Sequence, residues 1–147
     1  MVKEKECNSS YLFHIAESGS ALNIIRNGFA MKPLRCHDSF GGYSEMFGNK
    51  NLDGIYAAYF FDDIKTLSNN FTGTYKQVSI HNGKRHSVIF VHVQELKKAG
   101  FFICDDFYEP GKPITSFTMA ISNKLKIIPG NIFRFLCNDS SVGRAPV

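Results

Sequence analysis

A chain of 147 residues, 44% hydrophobic and 20% charged, has the size and composition of one globular domain with its own core. No apolar run approaches the roughly 18 residues of a bilayer span. The charged opening Met1-Val2-Lys3-Glu4-Lys5-Glu6 lacks the apolar stretch of a secretory leader, so neither membrane insertion nor a signal-peptide precursor is expected. Seventeen Lys and Arg against 13 Asp and Glu leave a net charge of +4. The basic residues are scattered, with short pairs only at Lys84-Arg85 and Lys97-Lys98, which permits nucleic-acid or anionic-ligand binding without indicating it.

In chain order, residues 1–10 read as a loose tail. Tyr11-Leu-Phe-His-Ile15 is a strand of aromatic and branched residues. Glu17-Ser-Gly-Ser20 offers N-cap hydroxyls to a short helix over Ala21–Asn27, with Leu22 and Ile25 on one face. Gly28 stands at its C′ position, where Phe29 can pack back. Residues 30–53 form the longest irregular stretch. Gly54–Phe60 is a second strand. Asp62 or Asp63 caps a second helix with Ile64, Leu67 and Phe71 on its apolar face. Tyr75–Ile80 alternates as a half-buried strand, and Asn82-Gly83 signals a hairpin returning as Ser87–Val93. A helical turn at Glu95–Ala99 ends at Gly100, and Phe101–Cys104 is a strand. A polar loop over Asp105–Pro113 leads to the strand Ser116–Ile121. Asn123 turns the chain into Leu125–Ile128, Pro129-Gly130 breaks it, and Ile132–Leu136 closes a core of about 11–137 before a tail at 138–147. Helices in the first half and strands in the second predict an α+β domain rather than a regularly alternating one.

The chemistry-bearing residue types are sparse. Cys7, Cys36, Cys104 and Cys137 lie far apart and read as reduced thiols. No pair of the five histidines has a recognised metal-ligand spacing, so no metal is expected. Cys36-His37 reads as loop, not as a nucleophile with its base. Asp62-Asp63 is explained by helix capping. Asp105-Asp106 and Glu109 lie in the predicted loop between late strands, a place where a catalytic acid can sit. His14 lies inside the first strand and Tyr56 opens the second.

Leu12-Phe13-His14 followed by Leu22-x-x-Ile25-x-x-Gly28-Phe29 resembles the first strand and helix of ADP-ribosyltransferases of the poly(ADP-ribose) polymerase and diphtheria-toxin branch. Met46-Phe47-Gly48 and Gly54-Ile55-Tyr56-x-Ala58 are similar to that branch's Gly-Ile-Tyr strand, followed by a helix ending in an aromatic, here Phe71. Phe117-Thr-Met-Ala-Ile121 and Lys126-Ile-Ile-Pro129 resemble its fifth and sixth strands. The resemblance covers about residues 11–137 in the same order. It implies a split β-sandwich of about six to eight strands with two or three short helices. It also implies a site that takes NAD as substrate: His14 on a ribose hydroxyl, Tyr56 and Phe71 on the nicotinamide ring, and Ile15 and Ala58 lining the cleft. The sequence departs from the pattern twice. Ile15 stands where the branch has Gly after His, and Ser116 stands where it has a catalytic glutamate.

The activity implied by the resemblance is that of a mono-ADP-ribosyltransferase of toxin or effector type, monomeric, acting on a protein or nucleic-acid acceptor. Its catalytic set is His14, Tyr56, Glu109 and Ser116, with Glu109 or Asp105-Asp106 swinging in from the loop, or with the acceptor's own carboxylate helping. A silent domain of the same fold that binds a nucleotide or nucleic acid is the alternative. An unrelated α+β ribonuclease or inhibitor, with His14 paired to His86 or His92, is the second. Either the cytoplasm or delivery as an effector suits the chain.

Overall fold

The computed structural model describes residues 4–6, 10–37, 47, 52–63, 65, 85–109 and 112–136, with the side chains of 36–37, 107–109 and 112–116 left out of the description. The expected helix at 64–71, the strand at 75–80 and the Asn82-Gly83 hairpin therefore lie outside the described residues, apart from Lys65.

The strands are β1 (Tyr11–Glu17), β2 (Phe29–Ala30), β3 (Lys32–Pro33), β4 (Tyr56–Phe61), β5 (His86–His92), β6 (Phe102–Glu109), β7 (Lys112–Ser122), β8 (Ile127–Ile128) and β9 (Phe133–Phe135). Among the described residues, two α-helices, α1 (Ser18–Asn27) and α2 (Val93–Lys98), and short 3₁₀ turns at Leu34–His37, Leu52–Gly54 and Gly130–Ile132 complete the α+β fold. The main sheet runs β6-β7-β4-β1-β5-β9, with β3 also pairing to β4, and β2 pairs with β8 apart from it. Every described pairing is antiparallel.

Alternation assigns the two faces. On one lie Leu12, Ala58, Phe60, Ile89, Val91, Ile103, Ala120 and Phe133. Ala21 and Ile24 of α1, Val93 and Leu96 of α2, and Met31 and Ile128 beside the β2–β8 pair cover them. The other face holds Ala57, Cys104, Met119 and Ile121 under Leu34, Leu52 and Ile55, and Ile15, Phe61 and Val88 farther along.

The 3₁₀ turn at 130–132 seats on the end of α1. A Cβ at Gly130 would fall against the carbonyl oxygens of Ile24 and Ile25, so only glycine allows this approach. Gly28 stops α1 at φ 99°, a conformation that L side chains rarely adopt.

Several expectations are corrected. The hydroxyls of 17–20 do not cap α1: Glu17 is the N-cap without a side-chain bond, and Ser18 Oγ bonds Ser87 Oγ at 2.7 Å instead. Ala21 and Ile24 carry the buried face of α1, and Leu22 is exposed. Asp105–Pro113 is not a polar loop, because β6 continues to Glu109 and β7 begins at Lys112. The β6 ladder slips in register between Asp105 and Asp106, an irregularity that breaks the alternation by which strands are recognised in a sequence. The strand expected over 125–128 shrinks to two residues, because Ser122 Oγ accepts from the backbone N–H groups of Lys124 and Leu125 and holds a turn there.

The segment at 4–6 is not a loose tail. The Lys5 N–H donates to the Ile103 carbonyl at 2.8 Å along the outer edge of β6. Glu4 pairs with Lys97 at 3.2 Å.

Candidate functional site

The site begins with an edge that two strands share. β7 pairs with β4 from Tyr56 to Phe61 on one side. On the other side β1 pairs only at Phe13–Phe61, and β3 pairs only at Lys32–Ala57 and Pro33–Tyr56. Ala58 and Phe60 lie between these two registered stretches. The sheet is split there.

His14 reaches into the split. Its Nδ1 lies 3.2 Å from the Tyr59 carbonyl oxygen. A carbonyl only accepts, so Nδ1 carries the proton and Nε2 of the neutral ring presents a lone pair. No partner for Nε2 is found among the described residues. The ring packs edge-on against Phe29 at 4.8 Å and Phe60 at 6.1 Å, and Phe133 stacks behind both. Burial in this aromatic nest lowers the His14 pKa, against a smaller opposing pull from the Tyr59 carbonyl. His14 is thus held neutral and oriented, able to accept a hydrogen bond from a hydroxyl.

Tyr56, Ala58 and Phe60 alternate on one face of β4, the face that meets His14. Four residues separate Tyr56 from Phe60, about 13 Å along the strand. Ala58 between them, 2% exposed, is packed in the core. A span of that order is longer than a single aromatic ring. The Lys126 ammonium sits 5.1 Å from the centre of the Tyr56 ring, in the position a ligand cation would take.

The remaining candidates from the sequence are less central, and some lie outside the description altogether. Ile15 turns its side chain to the other face, with Phe61 and Val88, so only its backbone borders the split. Glu109 ends β6 opposite Lys112, and Ser116 lies in β7; the side chains of both are outside the described residues, as is Phe71. His86 and His92 flank Ile89, the β5 partner of His14, by three positions each. Both therefore face away from His14, and the pairing suggested for ribonuclease chemistry is not formed.

Sequence reading missed an ion-pair network. Lys5 Nζ contacts Asp62 Oδ2 at 2.7 Å, Asp105 Oδ1 at 2.8 Å and the Phe117 carbonyl at 3.1 Å. The fully buried Thr118 hydroxyl donates to Asp62. Burial alone would lower the Lys5 pKa, but the Asp105 and Asp62 carboxylates outweigh it and hold the pKa above its ordinary value. Asp62 follows Phe61, which pairs with Phe117, so its carboxylate lies over β7 beside the Ser116 position. Asp105 is held by Lys5 on a strand. The helix-cap reading of Asp62 gave no hint of this partner, because Lys5 looks like any lysine in a charged tail.

Cys104 is a free, buried thiol. Burial, reinforced by the Asp105 and Asp106 charges and only partly opposed by Lys5, pushes its pKa up to about 12. No group of three or more potential metal ligands occurs among the described residues, and no described helix is long and apolar enough to cross a membrane.

Comparison with protein-family models, curated proteins and solved structures gives no match to this chain.

Proposed function

We propose that the chain binds NAD across the split edge of β4 and transfers its ADP-ribose to an acceptor. The observation that carries this reading is the split itself. The strands bearing the resemblance, β1, β4 and β7, are neighbours at the middle of one sheet. In support of it, β1 and β3 meet different stretches of β4, with His14 against the Tyr59–Phe60 end and Tyr56 at the other end of the same strand face. His14 Nε2 accepts from a ribose hydroxyl. Tyr56 stacks on the pyridinium, which displaces the Lys126 ammonium from the ring.

In the reaction the bond between ribose C1′ and the nicotinamide nitrogen breaks, and its electron pair leaves with neutral nicotinamide. The acceptor's nucleophile bonds to C1′ and gives its proton to solvent. The sugar passes through an oxocarbenium-like state, which a nearby carboxylate stabilises. Asp62, one position beyond the Phe61–Phe117 pair, supplies that charge when its pairing with Lys5 loosens.

One observation favours a silent, NAD-binding domain as the second reading. Asp62 and Asp105 are both ion-paired to Lys5, which leaves the oxocarbenium without an uncommitted carboxylate from this network.

The test is incubation of the full chain with NAD, with released nicotinamide followed by chromatography and binding by calorimetry. Release that disappears in His14→Ala and Tyr56→Ala supports transfer. Binding without release, weakened by the same variants, supports the silent domain. Neither binding nor release overturns both.

A further inference from the structure

On the face of β1 and β5 turned away from His14, a cleft of about 490 Å³ opens between β1, β5, β9 and the start of α2. Its floor is aromatic. Tyr11 meets Phe90 at 5.4 Å and His92 at 5.0 Å, both edge to face. Register places these residues together, with Tyr11 opposite His92 and Phe90 opposite Arg134.

The polar groups of the cleft are fixed in kind. His92 Nδ1 accepts from the Gln94 N–H at 3.1 Å, so the ring N–H is on Nε2, a donor. Arg134 Nη1 donates to the carbonyls of Asn131 at 2.7 Å and Phe133 at 2.9 Å. That anchors the guanidinium by one nitrogen. Nε and Nη2, with no partner among the described residues, remain as a fork suited to two oxygens of one anion. The Glu95 carboxylate lines the same cleft, has no partner among the described residues, and accepts hydrogen bonds only.

An anchored guanidinium fork, an imidazole N–H, an aromatic floor and an isolated acceptor complement a ligand with a phosphate, a flat ring and an amine or hydroxyl. The volume suits a small molecule of that size. We infer that this cleft is a second ligand site, separate from the NAD slot, which binds a phosphorylated nucleoside with the phosphate on Arg134, the base against Tyr11 and Glu95 on its donors. The source is either a free mononucleotide or one unit of a single strand. None of the cleft's residues belongs to the NAD slot, so its ligand is independent of the NAD reading.

Titration calorimetry of the full chain with adenosine 5′-monophosphate, adenosine, inorganic phosphate and a five-residue oligoadenylate tests it. The monophosphate is expected to bind 1:1, about tenfold or more tighter than adenosine or phosphate alone. Arg134→Lys keeps the charge and loses the fork, so it should weaken the monophosphate about tenfold. Tyr11→Ala should weaken it several-fold, and Arg26→Ala, which removes a cation at the end of α1 outside the cleft, should leave it unchanged. Melting curves show that each variant is folded. A strand that binds more tightly than the monophosphate identifies the strand as source, and equal affinity identifies the free nucleotide; both uphold the site. Absence of saturable binding at about 10 mM, affinity unmoved by Arg134→Lys, or an equal loss of binding in Arg26→Ala overturns it.

Discussion

Replacing Lys5 by Met tests whether the segment at 4–6 belongs to the core of the fold. The Lys5 side chain is 10% exposed, against 16% for Asp62 and 30% for Asp105. Removing the ammonium leaves two carboxylates close together with no counter-ion, beside a Phe117 carbonyl that has lost its donor. Breaking a buried ion pair costs about 3–5 kcal/mol. Water reaches Asp105 and takes up part of its charge, so the expected loss is about 3 kcal/mol, close to 10 °C in Tm for a domain near this size. Urea unfolding at pH 7 measures it. Adding Asp62→Asn and Asp105→Asn removes the repulsion and should recover most of the loss, since whole networks are replaceable where half-networks are not. The pH dependence has a definite sign. The folded pKa of Lys5 lies above 10.5, so its contribution is complete below 10.5 and is lost as pH rises through the folded value. The gap between the parent and Lys5→Met should therefore hold steady from about pH 7 to 10 and close above that. A Lys5→Met chain within about 0.5 kcal/mol of the parent, or a triple variant no more stable than the single one, refutes the account.

His14 titrates with the opposite sign. Its folded pKa lies below 6.5, so its contribution is present above 6.5 and is lost as pH falls toward the folded value; urea midpoints at pH 7 and 5 should differ more for the parent than for His14→Phe. Gly130→Ala pushes a methyl group against two backbone carbonyls of α1 and should cost about 2 kcal/mol or more in urea unfolding at unchanged m-value. The Cys104 thiol, buried with a pKa of about 12, should stay unmodified by iodoacetamide at pH 8 in the folded chain and react in urea, as peptide mass mapping would show. Under the NAD reading, Lys126→Ala vacates the Tyr56 ring face and should tighten NAD about two- to fivefold by calorimetry, the worth of an exposed cation–π contact.

The fold was legible where one local rule governed one element. In β1, β4 and β5 an apolar run between polar breaks was enough, because each lies in the sheet with neighbours on both sides. Gly28 and Gly100 marked helix ends because both take a positive φ. The reading failed where a tertiary partner decided the outcome. Asp105 and Asp106 looked like loop because two adjacent acids are poor strand formers, but Lys5 supplies the counter-charge that lets Asp105 sit in β6. Ser18 looked like a cap, but Ser87, 69 positions away, offers its hydroxyl a closer bond. A cross-strand partner that distant leaves no trace in a local window.

The site divides along the same line. His14 and Tyr56 could be named from their own strands, but not the feature that makes them a site, the contest of β1 and β3 for one edge of β4. Two details hold that edge open. Ahead of β3, Ala30 pairs with Ile127 of β8 and the Met31 N–H donates to the Lys126 carbonyl at 2.9 Å, so β3 meets β4 only at Lys32 and Pro33. At the other end, the side chain of His14 takes the Tyr59 carbonyl that a neighbouring backbone N–H would otherwise claim. The imidazole thus has a structural duty and a binding duty at once. That double role predicts how the variants divide. His14→Ala should lose both ligand affinity and stability, because it orphans a carbonyl and opens the aromatic nest. Tyr56→Phe removes only the hydroxyl, keeps the stacking face, and should leave both nearly intact. If His14→Ala proves as stable as Tyr56→Phe, the imidazole does not hold the split, and the slot must owe its shape to other contacts.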